Sequence, residues 1–243
     1  MRTVKILLLA IVFSVTGPVI AKDTGTSYQQ ARDQMMKKSA NSKKPSKFTK
    51  SDRKLMKDSL QKSRKDNPQP GLKVGTRAPD FSLGNALGKK ITLSEELRKG
   101  PVVLVFYRGA WCPFCSLHLH TLQNSARDFK RYKAQILAVT PQQPDKSLAQ
   151  VKKNKYPFEI VSDLDDAVMK SYGLYYSLSP ELHALYKSKG LDVEKFNGKG
   201  RVALPVPGTI VIGQDGIIKA VHADHDYKER MESADIIKVL KTL

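Results

Sequence analysis

The sequence predicts an α/β protein whose strands are covered by helices. Between residues 102 and 172, apolar strand-like runs alternate with segments whose apolar residues recur at helical spacing, a pattern typical of a sheet with helices packed on it. The C-terminal part adds two strand-like runs joined by a Gln-Asp-Gly turn, which predicts a hairpin. With 243 residues, 40% of them hydrophobic, the chain has the size of one globular domain with extra material at one end.

The first 21 residues have the pattern of a secretory signal peptide. Arg2 and Lys5 precede an apolar run over 6–15, which a Gly-Pro pair ends well short of the roughly 20 residues needed to span a bilayer. The alternative is an uncleaved membrane anchor. We expect cleavage, a mature chain that begins near Lys22, and an exported location, periplasmic or secreted, in an oxidising compartment.

Residues 22–71 predict a basic flexible arm. They contain few large apolar residues with which to build a core, and they carry much of the net charge of +19. Ser51 is placed to cap one short docking helix with a weak apolar stripe of Leu55, Met56 and Leu60. The positive charge suits a weak contact with an anionic envelope surface or a solvated tether. Because no series of aromatic residues alternates with the lysines, no nucleic-acid partner is expected.

The predicted domain, 72–243, opens with a hairpin that pairs 81–83 with 90–92. Ser94 then caps a short helix whose first turn carries two glutamates, where carboxylates suit the positive helix end. Pro101 resets the chain into an apolar, β-branched strand. The strands and helices from there on are Val102–Tyr107, a core helix over 114–131, a strand at 135–140, a helix at 146–153 capped by Asp145, a strand at 158–161 and a helix from Asp165 toward Tyr172.

Residues 173–205 interrupt this alternation. Ser179-Pro-Glu181 is a strong helix start, and the remainder has the composition of a loop. Such an insertion either lies over a functional site or is padding. The chain then closes with the C-terminal hairpin, from Thr209 to His222, and a helix capped by Ser233.

Both cysteines lie in Trp111-Cys-Pro-Phe-Cys115, directly after the strand that follows Pro101. A thiol attacks as its thiolate, and the positive end of a helix stabilises a thiolate at Cys112. Cys115, three residues on, lies on nearly the same helix face and can attack a mixed disulfide or a sulfenic acid at its neighbour. Trp111 supplies an apolar wall, and Arg108 adds positive charge.

Three other interpretations compete with redox activity. A structural disulfide across so short a loop would constrain the unfolded chain little. A zinc site needs four ligands, and the nearby His118 and His120 point in different directions on one helix. Inert buried thiols do not suit the start of a helix. Redox chemistry is therefore favoured, without a metal or other cofactor. His118 shares the helix stripe of Cys115, where it is a proton shuttle or, more commonly, a packed histidine.

Six motifs spread over 72–243 carry a family resemblance: Gly75–Phe81, Phe106–Cys115, Thr140–Gln142, Ser162–Asp163, Val206–Ile212 and Asp224–Arg230. As a set they resemble the peroxiredoxin-like branch of the alkyl hydroperoxide reductase C and thiol-specific antioxidant family. The resemblance implies a thioredoxin-like fold, with a central mixed sheet flanked by helices, an N-terminal hairpin and an insertion before the last hairpin.

The sequence departs from this family at the cysteine motif. Members carry a proline, a Thr or Ser four residues on, and the peroxidatic cysteine after three more, and these positions hold Arg108, Cys112 and Cys115 here. The resemblance therefore places Cys115 where peroxide is attacked, while Cys112 replaces the hydroxyl that would orient it.

A second departure lies before the C-terminal hairpin. The resemblance implies an active-site arginine just before the strand at Thr209, and Pro207 appears in its place in the sequence. Thioredoxins carry a cis-proline facing their redox pair at this position, so a cis bond at Pro207 is favoured over an ordinary trans turn proline. We expect Arg108, Trp111, Pro207 and Thr209 to shape the substrate site.

The leading hypothesis is a thiol-dependent antioxidant enzyme that reduces hydroperoxides. Cys115 would attack the peroxide, Cys112 would resolve the sulfenic acid as a disulfide, and a thioredoxin-type donor would reduce that disulfide. The alternative enzyme is a thiol–disulfide oxidoreductase, with a protein disulfide as substrate and Cys112 as the attacking thiol. A third, non-enzymatic hypothesis is a redox-responsive protein that the basic arm holds to the envelope.

Overall fold

The computed structural model describes residues 27–42 and 46–243, so the predicted signal peptide lies outside the described residues. Within them the chain forms strands and helices in the alternation expected of the α/β class. The strands are β1 (Ser82–Asn85), β2 (Lys90–Thr92), β3 (Val102–Phe106), β4 (Gln135–Thr140), β5 (Glu159–Ser162), β6 (Tyr175–Ser177), β7 (Ala203–Pro205), β8 (Gly208–Ile212) and β9 (Ile218–Ala223).

Helices precede the sheet and connect its strands. In the described part of the chain, no helix is both long and apolar enough to cross a membrane. The helices are α1 (Tyr28–Ala40), α2 (Lys50–Asp66), α3 (Leu93–Leu97), α4 (Pro113–Asn124), α5 (Ala126–Arg131), α6 (Pro144–Asn154), α7 (Ala167–Ser171), α8 (Pro180–Ser188), α9 (Glu194–Asn197) and α10 (Ser233–Leu240).

Strand β3 lies near the middle of a seven-stranded mixed sheet in the order β2-β1-β5-β4-β3-β8-β9. It pairs parallel to β4 and antiparallel to β8. Because side chains alternate between the two faces of a strand, Leu104 and Phe106 enter one hydrophobic cluster, while Val103 and Val105 enter another that contains both cysteines. The continuous apolar run in the sequence is therefore a strand covered on both faces.

The structure confirms the main predicted elements and moves several helix ends. The N-terminal hairpin, the strand at 135–140 and the helix cap at Ser179 are as predicted. The core helix over 114–131 is divided into α4 and α5 at Ser125. Helix α6 begins at Pro144, because proline fits the first helical position, and Asp145 lies in its first turn rather than at its cap.

The described residues of 22–71 correct the prediction of a flexible arm. Helices α1 and α2 both begin with a capping box and pack on the domain. The predicted docking helix is present as α2, and its cap is Thr49, two residues before the expected Ser51. Polar side chains far along the chain hold these helices. The composition of residues 22–71 does not reveal partners so distant in the sequence, so it predicted a flexible arm instead of packed helices.

The insertion at 173–205 lies over the end of the sheet that carries the cysteines. Strands β6 and β7 form a separate antiparallel pair, and α8 and α9 lie between them in the chain. Leu182, Tyr186 and Leu204 join a small apolar cluster, against which Trp111 of the cysteine motif packs. Of the two interpretations of this insertion, the structure supports a cover over the site.

Helix α4 depends on its buried face, because that face holds both cysteines against β3. Leu119 is fully buried there. We expect Leu119→Ala to lower the free energy of unfolding by about 2–5 kcal/mol through lost burial and the cavity left behind. Leu87→Ala is the matched control, since Leu87 is 76% exposed, and its effect should stay within about 0.5 kcal/mol. Chemical denaturation measures both, and equal effects would contradict this placement.

Candidate active site

The cysteine motif forms the start of α4. Cys112 is the N-cap residue, and its sulfur accepts a hydrogen bond from the Cys115 N–H at 3.4 Å. Pro113 occupies the first helical position, where its missing N–H leaves no bond unmade. The structure therefore confirms the predicted placement of Cys112 at a helix N-terminus.

A buried glutamine fixes the turn between β3 and Cys112. The Gln142 side chain accepts a hydrogen bond from the Ala110 N–H at 3.0 Å, and its amide group donates to Tyr107 and Gln150. Gly109 lies at φ +143°, and an added Cβ would fall 2.6 Å from the Trp111 indole nitrogen. Only glycine brings the chain past the indole at this point.

The two sulfur atoms lie 2.6 Å apart and share a hydrogen bond, and both cysteines are free. Both side chains are buried, with 1% of their surface exposed. The guanidinium of Arg230, also buried, donates a hydrogen bond to the Cys115 sulfur at 3.4 Å. The Cys112 sulfur thus accepts a hydrogen bond from a neutral backbone N–H, while the Cys115 sulfur accepts one from a charged guanidinium.

These surroundings separate the two thiols by pKa. Burial raises the pKa of Cys112 well above its ordinary value. Burial also opposes ionisation of Cys115, but the hydrogen bond shared with Cys112 and the charge of Arg230 outweigh it, so the pKa of Cys115 is lowered. These surroundings favour ionisation of Cys115 over that of Cys112.

Arg108 lies buried among aromatic rings beside the pair. Its guanidinium carbon is 4.9 Å from the Trp111 ring centre and 4.6 Å from that of Tyr227, and it donates a hydrogen bond to the Tyr186 hydroxyl at 3.2 Å. Burial disfavours its charge, yet Tyr186 and the thiols outweigh burial and raise the pKa of Arg108. The site therefore keeps a permanent cation held by cation–π contacts.

Two cavities meet at Arg108. The smaller, about 240 Å³, is lined by Cys112 and Trp111, and the larger, about 370 Å³, reaches Pro207. Met56 of α2 lines both, so the N-terminal segment forms part of the wall. Cys112 lines the smaller of these two cavities, whereas Cys115 lines neither.

The remaining predicted site residues divide into two groups. Trp111 and Arg108 lie beside the cysteines as expected, and Pro207 lines the larger cavity. The cis bond expected at Pro207 is wrong: the bond is trans, as are the other peptide bonds of the described residues. Thr209 pairs with Val105 inside the sheet and is fully buried, and it lines neither cavity.

Sequence reasoning missed Arg230. In the sequence it stands at the end of the motif Asp224–Arg230, with nothing local that indicates a role at the thiols, and the family resemblance implies the second arginine before β8, where Pro207 stands. The structure supplies that charge from the connection between β9 and α10 instead. His118, by contrast, is a packed histidine: its ring contacts the Met231 carbonyl at 3.2 Å, and burial lowers its pKa to about 3.

A model of the family described as AhpC/TSA matches residues 74–221. The chain belongs to the AhpC/TSA family. Its cysteine motif, β3 and α4 lie inside the matched stretch, whereas α1, α2 and Arg230 lie outside it. The contact between Arg230 and Cys115 thus joins a family element to a part of the chain that the family model does not cover.

Similar proteins carry peroxiredoxin names. A putative peroxiredoxin bcp of Buchnera aphidicola is 34% identical over 104 residues, which cover 43% of this chain and 65% of that protein. Peroxiredoxin Q of Populus jackii chloroplasts is 30% identical over 100 residues, which cover 41% and 46%. This AhpC/TSA chain therefore spans less than two thirds of the length of either relative.

A solved structure establishes the fold of this AhpC/TSA chain. The crystal structure of peroxidoxin BcpB from Mycobacterium tuberculosis matches with a TM-score of 0.57 at 20% identity, over 71% of this chain and 98% of that one. This likeness confirms the thioredoxin-like fold expected from the resemblance.

The lowered pKa of Cys115 predicts the pH dependence of its reactivity. An ordinary thiol, with a pKa near 8.5, gains thiolate as the pH rises from 7 to 9. Cys115 is already ionised there, so its reaction rate should be flat over this range and fall only at acid pH, as the thiolate is protonated. Alkylation of Cys112→Ser protein by iodoacetamide at a series of pH values measures this, because Cys115 is then the only thiol. A rate that climbs up to pH 9 would contradict it.

Proposed function

We propose that this chain is a thiol peroxidase that reduces hydroperoxides with Cys115 and Cys112. The observation that carries the proposal is a buried Cys115 whose sulfur accepts a hydrogen bond from Arg230 and contacts the sulfur of a second thiol. The frame around this pair is that of the AhpC/TSA family, and peroxiredoxin names recur among its relatives.

The reaction uses the two sulfurs in turn. The Cys115 thiolate attacks the outer oxygen of the hydroperoxide, the O–O bond breaks, and the leaving oxygen takes a proton to become an alcohol or water. Cys115 is then a sulfenic acid. The Cys112 thiol attacks that sulfur, a water molecule leaves, and a disulfide joins the pair. Since the sulfurs start 2.6 Å apart, resolution needs only a small movement of the side chains.

The cavity position of Cys112 suits the reducing step. A thioredoxin-type dithiol attacks one sulfur of the disulfide, and the accessible sulfur is attacked most readily. Cys112 borders the 240 Å³ cavity, and Cys115 lies behind it. The mixed disulfide therefore forms at Cys112, and the second thiol of the donor then releases both cysteines.

Turnover of hydrogen peroxide and of an organic hydroperoxide, regenerated by thioredoxin and its reductase, tests this function. We expect steady peroxide consumption by the protein and formation of one intramolecular disulfide after a single turnover in the absence of donor. A rate with hydrogen peroxide and organic hydroperoxide no faster than that of free cysteine would overturn the proposal.

A second candidate function rests on the same cavity. Because Cys112 lines the cavity and caps α4, a thiol–disulfide oxidoreductase would use Cys112 as its attacking thiol and Cys115 as the resolving one. Reduction of insulin disulfides distinguishes this candidate. It predicts activity that Cys112→Ser abolishes; no insulin reduction by the wild-type protein, or activity that survives Cys112→Ser, would exclude it.

We also propose export and a weak attraction of the basic segment to anionic surfaces. The apolar run near the N-terminus supports export. Basic side chains of α2 support the surface contact, although Lys54 and Lys62 are paired with acidic neighbours one turn away. Fractionation with N-terminal sequencing tests export. Sedimentation with phosphatidylglycerol vesicles tests the contact, which should weaken with added salt; uncleaved protein in the cytosol, or no sedimentation, would contradict these proposals.

A further inference from the structure

Helix α1 is attached to the connection between β9 and α10 by several hydrogen bonds. The Tyr28 hydroxyl donates to the Lys228 carbonyl at 2.6 Å. The N–H groups of Tyr28 and Gln29 donate to the two carboxylate oxygens of Glu232, at 2.9 and 2.8 Å. The carboxylate thus caps the helix, where negative charge is favoured.

Arg32, one turn further along α1, extends the attachment. One of its guanidinium nitrogens lies 2.7 Å from both carboxylate oxygens of Glu229. The Arg32 side chain is only 13% exposed, so this ion pair is partly shielded from water. Residues 228, 229 and 232 are therefore all bound by α1.

The residue enclosed by these contacts is Arg230. It is buried, and its guanidinium donates to Cys115. Its backbone position is fixed on both sides by α1, and His118 of α4 contacts the adjacent Met231 carbonyl. Tyr28 itself is 1% exposed and meets the His118 ring edge-on at 5.5 Å.

We infer that α1 is part of the thiol site, with Tyr28 and Arg32 as positioning residues that hold Arg230 against Cys115. The inference rests on the proposed function, since it concerns the same thiolate. Both α1 and Arg230 lie outside the stretch 74–221 that the AhpC/TSA model matches. Release of α1 leaves both cysteines in place but frees the charge that stabilises Cys115.

A general stabilising role for α1 is the alternative to a specific one. The two roles differ in their effect on the pKa of Cys115. Loss of fold stability lowers the melting temperature and leaves the thiolate environment of the folded protein unchanged. Loss of positioning raises the pKa of Cys115. The other groups that face this thiol are Cys112, Arg108, Tyr28 and Tyr107. Cys112 is serine in every protein compared below, so among these groups only Tyr28 differs between the variants.

The test is a titration of the Cys115 thiolate by its absorbance at 240 nm in full-length Cys112→Ser protein. In this background we compare Tyr28→Phe, which removes one hydroxyl, and Arg32→Ala with Lys38→Ala, an exposed change on the same helix. Tyr28→Phe and Arg32→Ala should each raise the pKa of Cys115 and slow its alkylation at pH 6 by about three- to tenfold. Lys38→Ala should change neither, and Arg32→Lys should restore part of the loss.

Repeating Tyr28→Phe and Arg32→Ala in a protein that also carries Arg230→Leu tests whether these two residues act through Arg230. If α1 acts through Arg230, the α1 changes should have no further effect on the thiolate there. An unchanged pKa in Tyr28→Phe and Arg32→Ala, or an equal effect with and without Arg230, would overturn the inference. Because the titration needs no hydroperoxide, it gives this result whether or not the chain is a peroxidase.

Discussion

Cys115→Ser is expected to abolish the fast reaction with hydrogen peroxide, with a loss of about 10³-fold or more, since it removes the nucleophile of the site. Cys115 is the thiol whose pKa is lowered, and Arg230 donates to it directly. Stopped-flow mixing of the reduced protein with hydrogen peroxide, followed by intrinsic Trp111 fluorescence, measures the reaction.

Cys112→Ser is the matched control, because serine keeps a hydroxyl that can donate to Cys115. We expect the fast phase to remain within about tenfold of wild type, followed by a sulfenic acid that dimedone traps and mass spectrometry places at residue 115. No disulfide forms, so turnover stops. If instead the fast phase survives Cys115→Ser and disappears in Cys112→Ser, Cys112 is the attacking thiol.

Arg230→Leu is expected to raise the pKa of Cys115 and to slow its reaction with peroxide at neutral pH. A hydrogen bond from a charged group to a buried thiolate is worth about 1.5–3 kcal/mol, so the rate should fall by about 10- to 100-fold. The sign follows from the charge: without this cation, burial, which favours the protonated thiol, is opposed less strongly, so the pKa of Cys115 rises. The loss should therefore shrink as the pH rises.

Arg230→Lys separates charge from geometry in this experiment. Lysine keeps the positive charge but not the planar guanidinium, and it should restore part of the rate. In a Cys115→Ser background Arg230→Leu should have no further effect on the rate, because Arg230 acts through the Cys115 thiolate. An Arg230→Leu protein with an unchanged Cys115 pKa would contradict the assignment of this arginine.

The apolar run of β3, the helical spacing after it and the Ser179-Pro start of α8 are local features, and they were read correctly from the sequence. The predicted cap at Ser94 is wrong: α3 begins at Leu93 after Thr92, so Ser94 lies in its first turn. The insertion at 173–205 was left open, since its composition gives no information on what it covers. Its place over Trp111 depends on the packing of a separate apolar cluster.

The candidate site divides in the same way. Two thiols at the start of a helix are specified by neighbouring residues, so the sequence alone identified Cys112, Cys115, Trp111 and Arg108. The prediction of a cis peptide bond at Pro207 is wrong. A proline next to a strand is compatible with both isomers, and the surrounding packing selects one. Thr209 was expected at the site, but its register beside Val105 places it inside the sheet.

The sequence by itself determined the α/β class, the strand and helix that carry the thiols, and the redox chemistry they favour, because each of these depends on residues close together in the chain. Only the tertiary structure decided which thiol ionises. That outcome depends on Arg230, 115 residues beyond Cys115 in sequence and 3.4 Å from its sulfur, and on helix α1, whose contact residues lie about 200 positions from the connection they hold. No local pattern encodes such distances, since a pKa is set by burial and charge in three dimensions.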